Sequence, residues 1–530
     1  MDGGFGGRAL HALGYCALAL GLAACGGGGS SGSATTATID APAVMAVAAY
    51  EQPATAVQQV AGEVKTRPAS LSALQTARVA LGPMSETKLL AAAPVVGPRQ
   101  IGESRRVDST ATAQSLAGLL QWTATAQGGL KAAVSISAEG AHGMRMGLLV
   151  NRLPESAVLR IYRQDRPTAV YEVPATVVLE AIARNLQAGD ASEAARLWWS
   201  PDAGGDEATL EIELPPGIAA SAVQVAVPQI SHFFADLSLP TAQELEWQTK
   251  INEASNCNLD ASCQEAYAGL RNAVARMIFT SAGQSYVCTG TLLNDRDTTG
   301  TPYFISANHC VSSQTVASTL QTDWFYRSSS CNSRALSAST VKRRGGATLL
   351  YASASTDTAF MRLNDTPPAG TVFAAWDANP QAASSSVVGL HHPQGDMLKI
   401  SFGAITGQSN CASAGANQFS CSGASGNYYR VSWSQGLTEG GSSGSGIFRG
   451  NALVGTLYGG ASSCSNAADF YGRFDVAYGA ALKTWLSPAS NAAPSPSGAP
   501  PAGAPGTASL RDWFPQLQGM QPVGPGAALR

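Results

Sequence analysis

The sequence predicts an all-β protein in two folded blocks, a β-sandwich-like N-terminal domain and a second β domain stapled by disulfides. Two observations carry this. Between about Ala61 and Pro240, apolar and polar residues alternate in short runs: Val134–Ala138, Ala157–Tyr162, Thr209–Leu214 and Ala222–Val227. Each run is bounded by Gly, Pro or Asp, and a two-residue period is that of a strand with one buried face. The chain then changes character near Ile251: of ten cysteines, eight lie between Cys257 and Cys464, where Gly and Ser also become dense. A chain of 530 residues is too long for one core.

The elements follow in order. Arg8 precedes an apolar run from Ala9 to Ala24 that is too short to span a bilayer and reads as an export signal. It ends Leu22-Ala-Ala-Cys25-Gly26, which resembles the lipobox of bacterial lipoproteins, so residues 1–25 are expected to be a lipoprotein-type signal, with Cys25 as the lipidated residue. Residues 26–60, rich in Gly, Ser, Ala and Thr, read as a flexible spacer. Residues 61–250 form the β-rich domain, with one short helix at Thr176–Leu186; Trp198 and Trp199 read as one core and one surface residue. The disulfide-bearing domain occupies 251–487. Residues 488–530, dominated by Pro, Ala and Gly, bury too little to fold.

A net charge of −3 supplies no basic field for nucleic acid. Even, clustered cysteines in an exported chain indicate disulfides, and the absence of a Cys-x-x-Cys pair argues against a zinc site. No metal or cofactor is expected.

Acyl transfer by serine needs an accessible hydroxyl, a neutral imidazole, a carboxylate to orient it, and backbone donors for the oxyanion. The hydroxyl candidate is Ser443 in Glu439-Gly-Gly-Ser-Ser-Gly-Ser445, where the glycines let the amides of Gly441 and Ser443 converge. Three histidines lie in this block. His309 ends the apolar strand Tyr303–Ala307 and precedes Cys310, whereas His391 and His392 read as a strand end. The carboxylate candidate is Asp357, just ahead of the apolar run Thr358–Leu363, while Asp365, before Thr-Pro-Pro, reads as a turn residue. The order His, Asp, Ser is that of chymotrypsin-type enzymes.

Together these segments resemble the bacterial lysyl endopeptidase family of trypsin-like serine proteases. The likeness runs from about Asn256 to Leu486 through Cys257-Asn-x-Asp260, Cys288-Thr-Gly290, Ala307-x-His-Cys310, Thr356-Asp-Thr358 and Gly389-Leu-His-His-Pro393. It continues through Thr438-Glu-x-Gly-Ser-Ser-Gly-Ser445, Gly459-Gly-x-Ser-Ser-Cys464 and Asp469-Phe-Tyr-Gly-Arg473. The resemblance implies two six-stranded β-barrels with a cleft between them, a triad of His309, Asp357 and Ser443, and Asp469 as the carboxylate that binds a basic substrate side chain. Tyr458 and Gly459 would line that pocket. Tyr458 replaces the family's histidine and the Cys464–Asp469 loop is shorter, which leaves Lys, Arg or both open as the preferred residue. The same match implies the bridges Cys257–Cys464, Cys263–Cys331 and Cys288–Cys310, leaving Cys411 and Cys421 to clamp a hairpin.

The expected activity is therefore a secreted serine endopeptidase acting on proteins or peptides after basic residues, monomeric, and made as a lipid-tethered precursor. Lys250 immediately precedes Ile251, so such an enzyme could release its own catalytic domain from an N-terminal pro-domain. The competing expectation is a lipid-anchored adhesin or binding protein on a degenerate protease fold.

Overall fold

The computed structural model describes residues 45–68, 74–84, 97–236, 254–415, 418–465 and 468–488. Cys25, Lys250, Ile251 and the tail from 489 onward lie outside the described residues.

The alternating runs of the first block form two facing sheets. One pairs Glu63–Thr66, Ala169–Pro174, Val158–Tyr162, Glu207–Leu214, Leu130–Ala138 and Thr76–Leu81, with Thr123–Ala124 added at Leu130–Ala138. Opposite lie Leu197–Trp199, Gly143–Arg152, Gln224–Phe233 and Arg99–Arg106. Val134, Ile136, Leu159, Ile161, Leu210 and Ile212 from the first sheet meet Met144, Met146, Leu148, Val225, Val227 and Ile230 from the second in one core. This is the expected sandwich. The helix spans Ala175–Gln187 and buries Val178, Leu179 and Ile182 against the same core. Neither tryptophan is a surface residue, contrary to expectation: Trp198 packs against the main cluster and Trp199 is buried in a separate one with Leu149, Leu197 and Ala226.

The second block contains two barrels. In the first, Ala347–Ser353, Thr358–Leu363, Tyr303–Ala307, Gln284–Leu293, Val274–Ser281 and Gln321–Trp324 pair in succession. Gly346 N–H donates to Leu320 O across the remaining seam at 3.2 Å. The second ring closes through ladders: Ser386–His391, Lys399–Gly415, Tyr428–Gln435, Ala468–Arg473, Ala452–Gly460 and Gly446–Arg449, which returns to Ser386–His391. Trp376, Phe360, Leu390, Phe448 and Tyr478 join the barrels in a shared core.

Two further expectations are corrected. The presumed spacer is not loose over its described part: Ala46–Val47 pairs with Asp377–Trp376, and Tyr50–Glu51 with Phe373–Val372. Further along, Thr366 N–H donates to Gln59 O at 2.8 Å. The small residues that suggested flexibility gain their order from backbone bonds, to which composition is blind. Asp365 is not a simple turn residue. It is 4% exposed, and its carboxylate accepts the amides of Ala61, Arg344 and Gly345 at 2.6–2.9 Å.

On the strand Val274–Ser281, between Ala275 and Met277 of the barrel core, the fully buried Arg276 pairs with Asp323 through Nε and Nη2 at 3.0 and 2.6 Å, and its Nη1 donates to Gly395 O at 2.8 Å. Tyr326 stacks on the guanidinium at 3.5 Å. Asp323→Ala would leave that cation buried without its partner, so a loss of about 3–5 kcal/mol is expected from denaturant unfolding of the disulfide-intact protein.

Candidate active site

The strand Tyr303–Ala307 delivers His309 to the mouth of the first barrel. There Asp357 grips it from two sides: His309 N–H donates to Oδ1 at 2.9 Å and ring Nδ1–H to Oδ2 at 2.6 Å. Asn308 N–H adds a bond to the Asp357 carbonyl at 3.0 Å. Asp357 is 2% exposed and has φ of 47°, a left-handed conformation that strains a residue with a side chain. These bonds hold it there. Burial pushes its carboxyl above the usual range, and the facing imidazole opposes that rise. With the proton on Nδ1, Nε2 is the acceptor, and it has no partner among the described residues. The Cys288–Cys310 bridge ties the residue after His309 to the adjacent strand.

Ser443 arrives from the second barrel on a loop held against the first. Thr289 N–H donates to Ser443 O at 2.9 Å, and Gly444 N–H to Leu457 O at 2.9 Å. Gly444, at φ of 79°, lies so close to Ala307 that a Cβ would stand 2.6 Å from the Ala307 nitrogen. Gly441, at φ of 96°, would likewise bring a Cβ within 2.9 Å of His392 O. Both positions require glycine. The Gly441 and Ser443 amides donate to no acceptor among the described residues, which suits an oxyanion site.

A buried polar chain supports this loop, and sequence reasoning did not find it. His391 Nδ1 lies 2.9 Å from Ser442 Oγ, and its Nε2 lies 3.0 Å from Ser401 Oγ. Burial lowers His391 to about 3, so the ring is neutral and can donate to one hydroxyl while accepting from the other. Thr289 Oγ1 donates to Gly441 O at 2.9 Å. Glu439 accepts from Ser255 N, Ser255 Oγ and Asn258 Nδ2 at 2.8–2.9 Å, binding the start of the protease block to the serine loop. The adjacent Ser442-Ser443 and His391-His392 pairs were the available signal.

Asp469 is fully buried behind the site. Its Oδ2 accepts from Trp433 Nε1 at 2.6 Å and Thr438 Oγ1 at 2.8 Å, whereas Oδ1 has no partner among the described residues. Burial raises this carboxyl to about 6 against those hydrogen bonds and the nearby hydroxyl and amide of Ser462. A Cβ at Gly460 would overlap Oδ1 at 2.0 Å, so a bare backbone is required beside it. Tyr458 spans the two regions, with ring centroids 5.9 Å from His309, 5.2 Å from Tyr428 and 4.5 Å from Phe419. Gly459, next to it, has φ of 156°.

The cysteines pair as Cys257–Cys464, Cys263–Cys331, Cys288–Cys310 and Cys411–Cys421. The first ties the beginning of the block to the loop before Asp469, and the last clasps the hairpin that carries Phe419 onto Tyr458.

Residues 251–472 match the family described as "Lysyl endopeptidase, C-terminal domain", and residues 70–234 match "Lysyl endopeptidase N-terminal domain". A lysyl endopeptidase of Pseudomonas aeruginosa is 32% identical over 403 residues, covering 72% of this chain and 80% of that protein. A secreted RxLR effector protein of Plasmopara viticola is 33% identical over 112 residues, 20% of this chain and 26% of its own. Among solved structures, the active form of the Rv3671c protease of M. tuberculosis aligns at a TM-score of 0.29 and 14% identity, covering 44% of this chain and 92% of that one. Two family domains in order, and a relative matched over four-fifths of its length, show that this chain belongs to the lysyl endopeptidase family of serine proteases.

Proposed function

We propose that this protease is an exported endopeptidase cutting after basic residues, lysine foremost, by a His309–Asp357–Ser443 triad. The carrying observation is the two-sided grip of Asp357 on His309, which leaves Nε2 unpartnered among the described residues beside the Ser443 loop. Nε2 takes the Ser443 Oγ proton as the hydroxyl attacks the substrate carbonyl, and the Gly441 and Ser443 amides stabilise the oxyanion. The protonated ring, balanced by Asp357, then gives its proton to the departing amine. Water repeats the sequence on the acyl-enzyme. Ser443→Ala is expected to abolish covalent labelling by an organophosphonate and lower kcat by at least about 10³-fold. Undiminished labelling would exclude Ser443 as nucleophile.

Asp469 supports the preference for a cation. Two neutral donors occupy Oδ2, so one oxygen, Oδ1, remains for the substrate. A single oxygen suits the point charge of a lysine ammonium better than the two-pronged guanidinium of arginine. Because Asp469 titrates near about 6, the pocket loses its charge below that pH. The ratio of kcat/KM for a lysyl ester to that for the uncharged norleucyl ester cancels the imidazole titration. It is expected to fall as pH drops through about 6, and to be low and pH-independent in Asp469→Asn. A ratio that stays constant in the native enzyme removes Asp469 from the pocket.

Residues 1–25 support export with lipid attachment at Cys25, and Lys250-Ile251 is a bond this specificity would cut. The residues just beyond it are bound firmly, through Glu439 and through Cys257–Cys464. N-terminal sequencing of the mature catalytic chain is expected to begin at Ile251, and Lys250→Gln to abolish that start. A start still at Ile251 in the variant would assign that cut to a protease of another specificity, and a native start elsewhere would exclude the Lys250–Ile251 bond.

A further inference from the structure

The N-terminal domain does not merely sit beside the protease; it contributes a strand to it. Arg99–Arg106, at the edge of the sandwich, pairs antiparallel with Gln284–Leu293 of the first barrel: Gly102 opposite Ser285, Gln100 opposite Tyr286, Arg99 opposite Val287. The sandwich sheet and the barrel thus form one continuous hydrogen-bonded array. Buried polar contacts reinforce the junction. Arg145, 4% exposed, donates to Ser200 O in its own domain and to Thr280 Oγ1 and Thr319 O in the barrel at 2.7–2.9 Å, while Ser231 Oγ lies 2.8 Å from Ser285 Oγ.

The position of this added strand is the informative point. Val287 leads directly into Cys288, whose disulfide partner follows His309. Gly97 O and Arg99 Cβ lie 3.7 and 3.9 Å from where a Cβ of Gly440 would stand, one residue before the Gly441 amide. Arg99 also faces the charge of Glu439 in the same loop. The nucleophile lies between this strand and the Asp469 pocket: Ser443 O is bound by Thr289 of the barrel strand, and Gly444 N by Leu457, ahead of Tyr458 and Gly460. From residue 99 to 106 the added strand leads away from the serine. A bound substrate runs in the same sense, with the residue after the scissile bond nearest the nucleophile and the next ones leading outward.

Building on the protease reading, we propose that Gly97–Gly102 occupies the leaving-group half of the cleft, so that the N-terminal domain competes with protein substrates by strand addition. The segment is unproductive as a substrate. Pro98 presents no amide hydrogen to the edge. The acyl half of the cleft is left open, so the uncut chain should discriminate by the length of the leaving group.

The test uses the full chain carrying Lys250→Gln, shown by mass to be intact, and the same chain with Arg99→Glu added, which sets a like charge beside Glu439. Two substrates share one blocked lysyl acyl half: a methyl ester, and a peptide with four residues after the lysine. Arg99→Glu is expected to raise the peptide-to-ester ratio of kcat/KM by at least about tenfold, through the peptide alone. Hydrogen exchange across Gln284–Val287 should accelerate in parallel. An unchanged ratio with unchanged protection overturns the proposal. So does an uncut chain that hydrolyses neither substrate while wild type hydrolyses the ester, since the whole site would then be blocked. If wild type hydrolyses neither, the protease reading itself fails and the proposal falls with it.

Discussion

One backbone hydrogen bond, from Thr289 N–H to Ser443 O at 2.9 Å, joins the two halves of the chemistry. His309 and Asp357, the proposed base and its carboxylate, belong to the first barrel and Ser443, the proposed nucleophile, to the second, so their meeting depends on how closely the barrels approach. Gly444 permits that approach because its missing Cβ leaves room for Ser306 Oγ and the Ala307 nitrogen. The Cys288–Cys310 bridge then fixes the two strands of the first barrel that receive the serine loop. A residue with any side chain at 444 would push Ser443 away from His309 without altering either barrel.

The site holds two buried carboxylates, both raised by desolvation but compensated differently. Asp357 uses both oxygens on His309, whose ring becomes a cation in the proposed mechanism, so its charge would be matched inside the protein. Asp469 has only neutral donors and keeps one oxygen without a partner among the described residues. An unpaired buried charge is costly, and a cation arriving from outside removes that cost. In the proposed mechanism the first arrangement orients a base and the second selects a ligand. The polar chain Ser442–His391–Ser401 is a third solution: a neutral histidine braces the serine loop from within the barrel and carries no charge into it.

The parts of this architecture carried by short local patterns were legible in the sequence. Alternation placed the sandwich strands because a strand's burial period does not depend on its partners, and the glycines around Ser443 declared a loop that needs bare backbone. What depended on distant partners was not legible. Residues 45–60 read as spacer because their order comes from backbone groups bonded to residues some three hundred positions away. Asp365 looked like a turn residue for the same reason. His391 and His392 were correctly placed at a strand end, yet nothing nearby showed that His391 would face Ser442. The run Arg99–Arg106 has too many polar residues to resemble a core strand, and its polarity fits an edge that is finally paired with another domain.

That pairing answers a problem peculiar to an enzyme that acts on extended chains. A substrate-binding strand must keep backbone donors and acceptors unpaired, and an unpaired edge invites association with any extended segment, including another copy of the same protein. The usual defences, a proline or an inward charge, would also exclude the substrate. Here the edge at Ser285–Val287 is covered by a strand of the same chain, held by long-range contacts including Arg145, Ser231 and the residues around Asp365. On the proposed reading, the backbone bonds that suppress association in the uncut chain are those a substrate makes in its place, so protection and catalysis place no conflicting demands on the sequence of that strand.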